Sequence, residues 1–135
     1  MAKILIIDDD WAMRKLVSVV MRSYSHEVLE ASDGATGISL AMNNIPDLII
    51  CDYHMPFMNG LDTLETIRKI EALKDTPVIV ASTGINKQQE NSYKKLGVCW
   101  CFSKPIDIME VKDKILEILL NLKRKESAIE PNPVV

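Results

Sequence analysis

No apolar run in this chain approaches the ~18 residues that a membrane-spanning helix requires. The short run Ile4-Leu5-Ile6-Ile7 ends in Asp8-Asp9-Asp10 and has neither the length nor the cleavage site of a signal peptide, so a membrane is not expected among its partners. Basic residues never cluster beyond Lys123-Arg124-Lys125, and the net charge is −3. Direct nucleic-acid binding, which demands a basic face, is therefore not expected either. Cysteine is scarce and odd in number: Cys51, Cys99 and Cys101 lie in apolar, strand-like segments. They read as reduced core thiols of a cytoplasmic protein rather than as a disulfide framework. Cys99 and Cys101 share one strand face and have no third or fourth ligand nearby, which argues against a metal there. Internal repeats and low-complexity segments are absent.

What is present is the material of one domain. The 135 residues are 47% hydrophobic, enough for a single buried core and too few for a second. Apolar runs of strand length alternate five times with segments of helical period, the pattern of a parallel βα sheet whose strands are buried on both faces. Strands are expected over Lys3 to Ile7, Glu27 to Ala31, Asp47 to Asp52, Val78 to Ala81 and Val98 to Phe102. Helices are expected over Ala12 to Tyr24, from Ser32-Asp33-Gly34 to Asn43-Asn44, over Leu61 to Leu73, Asn86 to Leu96 and Asp107 to Lys125. Met13, Leu16, Val17 and Val20 should form the inward stripe of the first helix. Ile108, Val111, Ile115, Ile118, Leu119 and Leu122 should form that of the last. Residues 126–135 contain two prolines and no period, and are expected to be a disordered tail or linker stub beyond a domain of residues 1–125.

Asp8-Asp9, Asp52, Ser82 and Lys104-Pro105 all fall at the carboxyl ends of expected strands. In an open parallel sheet the loops from those ends converge, so three carboxylates, a hydroxyl and an ammonium share a pocket. The set suits a divalent metal and a phosphoryl group, with Asp52 as the acceptor. Two like charges ~4 Å apart repel by about 4 kcal/mol at an effective dielectric of about 20, so the carboxylates need a cation. Taken singly, each aspartate reads as a turn or helix cap; the set does not.

The ordered motifs Ile6-Ile7-Asp8-Asp9, Asp52-Tyr53-His54-Met55-Pro56-Phe57-Met58-Asn59-Gly60, Pro77 through Ser82, and Lys104-Pro105 resemble the receiver domain of bacterial two-component response regulators over residues 3–122. Arg14, five residues after Asp9, sets the register among the three aspartates. The resemblance implies a flavodoxin-like, doubly wound five-stranded parallel sheet in the order 2-1-3-4-5 with five helices. It implies Mg²⁺ held by Asp9, Asp52 and the His54 backbone carbonyl, with Asp8 acting through water. Lys104 would pair with Asp52 and then with the phosphoryl oxygens, Ser82 would donate its hydroxyl, and the backbone N–H groups of Tyr53 and Thr83 would complete the cradle. The partner implied is a histidine kinase or histidine phosphotransfer protein, and the chain would be a regulator rather than an enzyme, assisting only its own phosphorylation and dephosphorylation. The His54 imidazole, two positions after the acceptor, could govern access of water, whereas His26 reads as a surface loop residue.

Three positions depart from the family pattern. Cys101 stands at the switch position where Tyr or Phe is common, and strand alternation turns Trp100 and Phe102 to the other side. Thr83 follows Ser82 where Ala or Gly is usual, and Ile106 replaces a frequent Phe. A phosphatase of the haloacid-dehalogenase type is the main alternative, because Asp8-x-Asp10 superficially offers its first motif. That motif needs Thr or Val where Ala12 stands, and it leaves Asp52 without a role. A scaffold that is never phosphorylated would not need the acidic set and Lys104. On the last helix, Met109, Leu116 and Leu120 form a second apolar stripe, expected to dock an effector or a second copy of the chain unless the preceding helix covers it.

Overall fold

The computed structural model describes residues 1–129. Strands and helices alternate as β1 (Lys3–Ile7), α1 (Trp11–Ser23), β2 (Glu27–Ala31), α2 (Gly34–Asn44), β3 (Leu48–Cys51), α3 (Gly60–Arg68), β4 (Val78–Ser82), α4 (Lys87–Lys95), β5 (Val98–Ser103) and α5 (Ile108–Ile129), with a 3-10 turn at Glu71–Leu73. The strands pair in parallel in the order β2-β1-β3-β4-β5. This is the flavodoxin-like arrangement, in which the winding direction reverses between β1 and β3 and opens a crevice beyond their carboxyl ends.

Strand alternation sorts the core into two layers. Ile4 and Ile6 of β1 join Ile50 and Ile79 against Met13, Val17 and Met21 of α1 and Val111 and Ile115 of α5. Leu5 and Ile7 face the other way, with Ile49, Cys51 and Val80, against Leu64 and Ile67 of α3, Leu73 of the 3-10 turn and Tyr93 of α4. Each such fully buried side chain contributes about 1.5–3 kcal/mol relative to exposure. Polar caps set the helix starts: Asp10, Asp33, Asn59 and Asn86 each accept a backbone N–H from the first turn, and Asn86 and Gln89 close a capping box. Gly97 follows α4 with φ +76°, as its position after the helix requires.

Several expectations need correction. Leu16 points to solvent, and the inward stripe of α1 is Met13, Val17 and Met21, with Val20 at its edge. The helix is rolled so that buried Ser18 reaches Glu30, 3.3 Å away. The third helix stops at Arg68 instead of Leu73, because the Arg68 guanidinium gathers the carbonyls of Leu96, Leu73 and Thr76 at 2.8, 2.9 and 2.6 Å, and Ile70 adopts an extended conformation to let them converge. Cys51 is buried, but Cys99 and Cys101 are exposed. They lie on the sheet-edge strand β5, and α4 offers only one buried side chain, Tyr93, to cover them. The last helix continues to Ile129, past the expected boundary at residue 125; residues 130–135 of the expected tail lie outside the described residues.

The second stripe of α5 is not covered by α4, which packs on the opposite face of the sheet. Met109 is 58% and Leu120 49% exposed, and Leu116 is half-buried. Leu116, Leu119 and Leu120 form one wall of a groove of about 700 Å³ whose other wall includes Ile45, Pro46 and Pro77, at the amino ends of the strands.

The cysteine placement has a direct check. Alkylation of the native protein at pH 8 should modify Cys99 and Cys101 and spare Cys51 until the protein unfolds. Native labelling of Cys51, or protection of the other two, would contradict the edge position of β5.

Candidate functional site

The three consecutive aspartates divide into three roles as the chain leaves β1. Asp8 is 1% exposed, its N–H donates to the Ala31 carbonyl and its carboxylate accepts the Asp10 N–H at 2.8 Å. Asp9 is exposed at the mouth of the crevice. Asp10 is the N-cap of α1, accepting from the N–H groups of Ala12 and Met13. Arg14, one turn along that helix, donates to the Asp8 carbonyl at 2.7 Å and to Glu30 at 3.2 Å, so it positions the acidic pocket as well as marking its register. Glu30 is also bridged by Lys15, and its carboxyl is held below the ordinary range because those basic partners outweigh its burial.

Asp52 reaches the same point from β3. Its N–H donates to the Ile7 carbonyl at 2.9 Å, which sets its side chain beside that of Asp8. Lys104 arrives from β5: its N–H donates to the Ser82 carbonyl, and its Nζ lies 2.9 Å from Asp8 Oδ2 and 3.3 Å from Asp52 Oδ2. The expected pair with Asp52 is thus shared with Asp8. The Lys104-Pro105 peptide bond is cis.

One ammonium therefore answers three carboxylates whose oxygens lie within 4.8 Å of one another. Burial pushes the Asp8 carboxyl up to about 6, against the hydrogen bonds from Asp10 and Lys104 and with help from the Asp52 charge. Burial works to lower the Lys104 ammonium, but its hydrogen bond to Asp8 and the charges of Asp8 and Asp52 prevail and raise it. Asp52 is 4% exposed, and its Oδ1 is buried without a hydrogen-bond donor. A carboxylate oxygen left so is unfavourable unless a cation or donor fills the space. Clustered carboxylate oxygens with an orphaned lone pair are the donor set of a hard divalent cation, and Mg²⁺ fits them.

The hydroxyl side of the crevice comes from the end of β4 and the loop that follows it. Ser82 is 1% exposed, and its Oγ makes only a long contact, 3.4 Å, to the Thr83 carbonyl. The same carbonyl accepts from His54 Nε2 at 2.9 Å. Between Asp52 and α3, the Gly60 N–H closes the loop on the Tyr53 carbonyl at 2.9 Å. A Cβ on Gly60 would collide with the backbone of Asp52 and Tyr53, so glycine is required there by close approach.

Cys101 supplies no aromatic ring. Phe102 is buried on the α1/α5 side, and Trp100 lies under the Lys114 ammonium, 3.9 Å above its ring. The buried aromatic on the α4 side is Tyr93, which borders a cavity of about 230 Å³ with Cys99 and Cys101 and stands edge-on to Tyr53 with centroids 6.2 Å apart. Its buried hydroxyl has no partner, and burial raises its pKa. Nothing in the polar sequence of α4 singled out this tyrosine.

Residues 4–116 match the response regulator receiver domain family. The chain is 32% identical to chemotaxis protein CheY-3 of Vibrio cholerae, over 89% of this chain and 93% of that one. It is 29% identical to sporulation initiation phosphotransferase F of Bacillus subtilis, over 87% and 93%. Among solved structures, chemotaxis protein CheY4 of Vibrio cholerae superposes with a TM-score of 0.82 at 27% identity, covering 87% of this chain and 98% of that one. The chain belongs to the response regulator receiver domain family, whose members act as signalling modules of two-component systems.

Two predictions follow from the geometry. Because the Asp8 carboxyl is raised from its ordinary 3.8 to about 6, its ionised form opposes folding, with no penalty below about pH 4 and the full penalty above about pH 6. Asp8→Asn should therefore stabilise the cation-free protein at pH 7 by about 1–3 kcal/mol, and the difference from wild type should shrink on acidification to pH 4. An equal or lower denaturation midpoint for the variant at pH 7 would refute this. Gly60→Ala should cost at least about 2 kcal/mol in urea unfolding, because the clash is with backbone rather than with a flexible side chain. A change below about 0.5 kcal/mol would show that the loop is not confined as described.

Proposed function

We propose that the protein is the phosphoacceptor of a two-component signalling system and that Asp52 receives the phosphoryl group from a histidine kinase or histidine phosphotransfer protein. The observation that carries this reading is the state of Asp52: buried beside Lys104, at the topological switch point, with one oxygen lacking any donor. A carboxylate so placed is a nucleophile with the Lys104 ammonium beside one oxygen and no protein donor committed to the other. In the transfer, an Asp52 oxygen forms a P–O bond as the P–N bond to the donor imidazole breaks, and that imidazole leaves with the bonding electrons and takes up a proton. Water later cleaves the aspartyl phosphate to restore the carboxylate and release inorganic phosphate.

Asp8, Asp9, Asp52 and the His54 backbone carbonyl would hold Mg²⁺, which supplies positive charge where the transferring group adds negative charge. Lys104 moves from sharing Asp8 and Asp52 to contacting phosphoryl oxygens. Ser82 exchanges its long bond to the Thr83 carbonyl for one to the phosphoryl group, and the backbone N–H groups of Tyr53 and Thr83 supply further donors. The dehalogenase-type alternative is weakened by Asp10, whose Oδ1 caps α1 by accepting from the N–H groups of Ala12 and Met13. Among the described residues no helix is long and apolar enough to cross a membrane. A cytoplasmic location accords with the proposed donor.

The output surface is proposed to include the stripe of exposed Met109 and Leu120 with half-buried Leu116, docking an effector or a second copy. Cys101, at the usual switch position, leaves no aromatic there to carry the movement of Ser82 to that surface.

Incubation with acetyl phosphate and Mg²⁺ should add one phosphoryl mass to the protein. Undiminished labelling of Asp52→Asn, or equal labelling without any divalent cation, would overturn the assignment. Leu116→Glu combined with Leu120→Glu should leave folding and Asp52 labelling intact while weakening dimerisation or effector capture. Loss of folding would place the stripe in the core, and unchanged association would remove it as a contact surface.

A further inference from the structure

We propose that the His54 imidazole is a positioning residue that holds the loop following the hydroxyl-bearing end of β4 in register with the loop following β3. The inference rests on Asp52 being the acceptor. His54 follows β3 and Thr83 follows β4, 29 residues apart in sequence, yet His54 Nε2 donates to the Thr83 carbonyl at 2.9 Å. The carbonyl partner requires the proton on Nε2. The imidazole bridges the two strand-end loops that flank the acceptor carboxylate.

The ring is exposed but not loose. Tyr53 packs edge-on against it, with centroids 4.9 Å apart and planes at 84°. Tyr53 in turn rests edge-on against the fully buried Tyr93. A rigid core residue therefore backs the donor through one intermediate ring. The segment it holds has less to fix it. Thr83 is exposed, Gly84 has φ +63° with open space where a Cβ would stand, and the Ser82 hydroxyl makes only its 3.4 Å contact to the Thr83 carbonyl.

That shared carbonyl is the substance of the inference. The Ser82 hydroxyl and His54 Nε2 both use it, so when the hydroxyl turns to a phosphoryl oxygen on Asp52 the carbonyl retains the imidazole as donor. The imidazole keeps its hold on the loop while the hydroxyl changes partner. Donors already aimed at the developing charge need no reorganisation during transfer, which is the physical benefit of the tether. The proposed metal contact of His54 is its backbone carbonyl, so the side chain can be altered without deleting that group.

The test compares wild type, His54→Ala and His54→Gln, in which a side-chain amide can replace the ring donor. Two quantities are measured: the maximal rate of Asp52 phosphorylation by acetyl phosphate with Mg²⁺, separately from its half-saturating concentration, and backbone amide order parameters at Thr83 and Gly84 in the unphosphorylated, cation-free protein. His54→Ala should lower the maximal rate about fivefold, the weight of one net hydrogen bond, with half-saturation unchanged. It should also lower the order parameters at Thr83 and Gly84 but not in β1 or β3, and His54→Gln should recover both. Wild-type rate and order parameters in His54→Ala would overturn the proposal, as would equal losses in the Ala and Gln variants, which would assign the effect to the ring rather than its donor. Undiminished labelling of Asp52→Asn would instead overturn the acceptor assignment, whatever the order parameters show.

Discussion

The structure is organised around an excess of negative charge at the carboxyl ends of β1 and β3. Asp8, Asp9 and Asp52 bring three carboxylates within 4.8 Å of one another, and Lys104 is the ammonium set among them. At that spacing the mutual repulsion is of the order of kilocalories per mole even under protein-like screening. The burial of Asp8 and Asp52 makes it worse, as the raised Asp8 carboxyl records. A site with this imbalance suits a divalent cation, and in the proposed function the cation prepares it for a phosphoryl dianion. Stability is surrendered at one point so that binding there is favourable.

The rest of the fold keeps that imbalance from relaxing. Asp8 cannot swing away, because its carboxylate holds the Asp10 N–H and Arg14 grips its carbonyl. Asp52 is locked by its N–H to the Ile7 carbonyl, and Gly60 lets the following loop close against it. Lys104 is delivered by β5 and tied through its N–H to the Ser82 carbonyl, so the Asp52 carboxylate, the Ser82 hydroxyl and the Lys104 ammonium come from three adjacent strands. Behind them, aliphatic side chains fill both faces of β1, β3 and β4, giving a rigid floor from which only the strand-end loops can move.

Much of this was legible in the sequence, for reasons that differ by element. The central strands are aliphatic runs with no plausible reading except burial, and the carboxylates, Ser82 and Lys104 stand directly at their ends. The helix starts carry side chains that can cap them. What escaped the sequence depends on partners distant along the chain. The end of α3 is set by the Arg68 grip on Leu73, Thr76 and Leu96, the last of them 28 residues away. The roll of α1, which exposes Leu16, follows the Ser18–Glu30 contact. Cys99 and Cys101 are apolar in pattern but exposed, because α4 brings only Tyr93 as a buried side chain to the edge strand β5, which the pattern of β5 itself does not record. The His54–Thr83 bridge and the buried Tyr93 are tertiary facts of the same kind.

Relief by a cation of the repulsion built into the fold is measured most directly as the Mg²⁺ dependence of unfolding. If Mg²⁺ binds the folded carboxylate cluster, the denaturation midpoint of the wild-type protein should rise with Mg²⁺ concentration by the logarithmic law of a ligand that binds only the native state. The dependence should weaken strongly in Asp9→Asn and Asp52→Asn, with Ca²⁺ or Mn²⁺ able to substitute in the wild type and monovalent salt at equal ionic strength unable to do so. A midpoint indifferent to Mg²⁺, or one that rises equally in Asp52→Asn, would contradict the account.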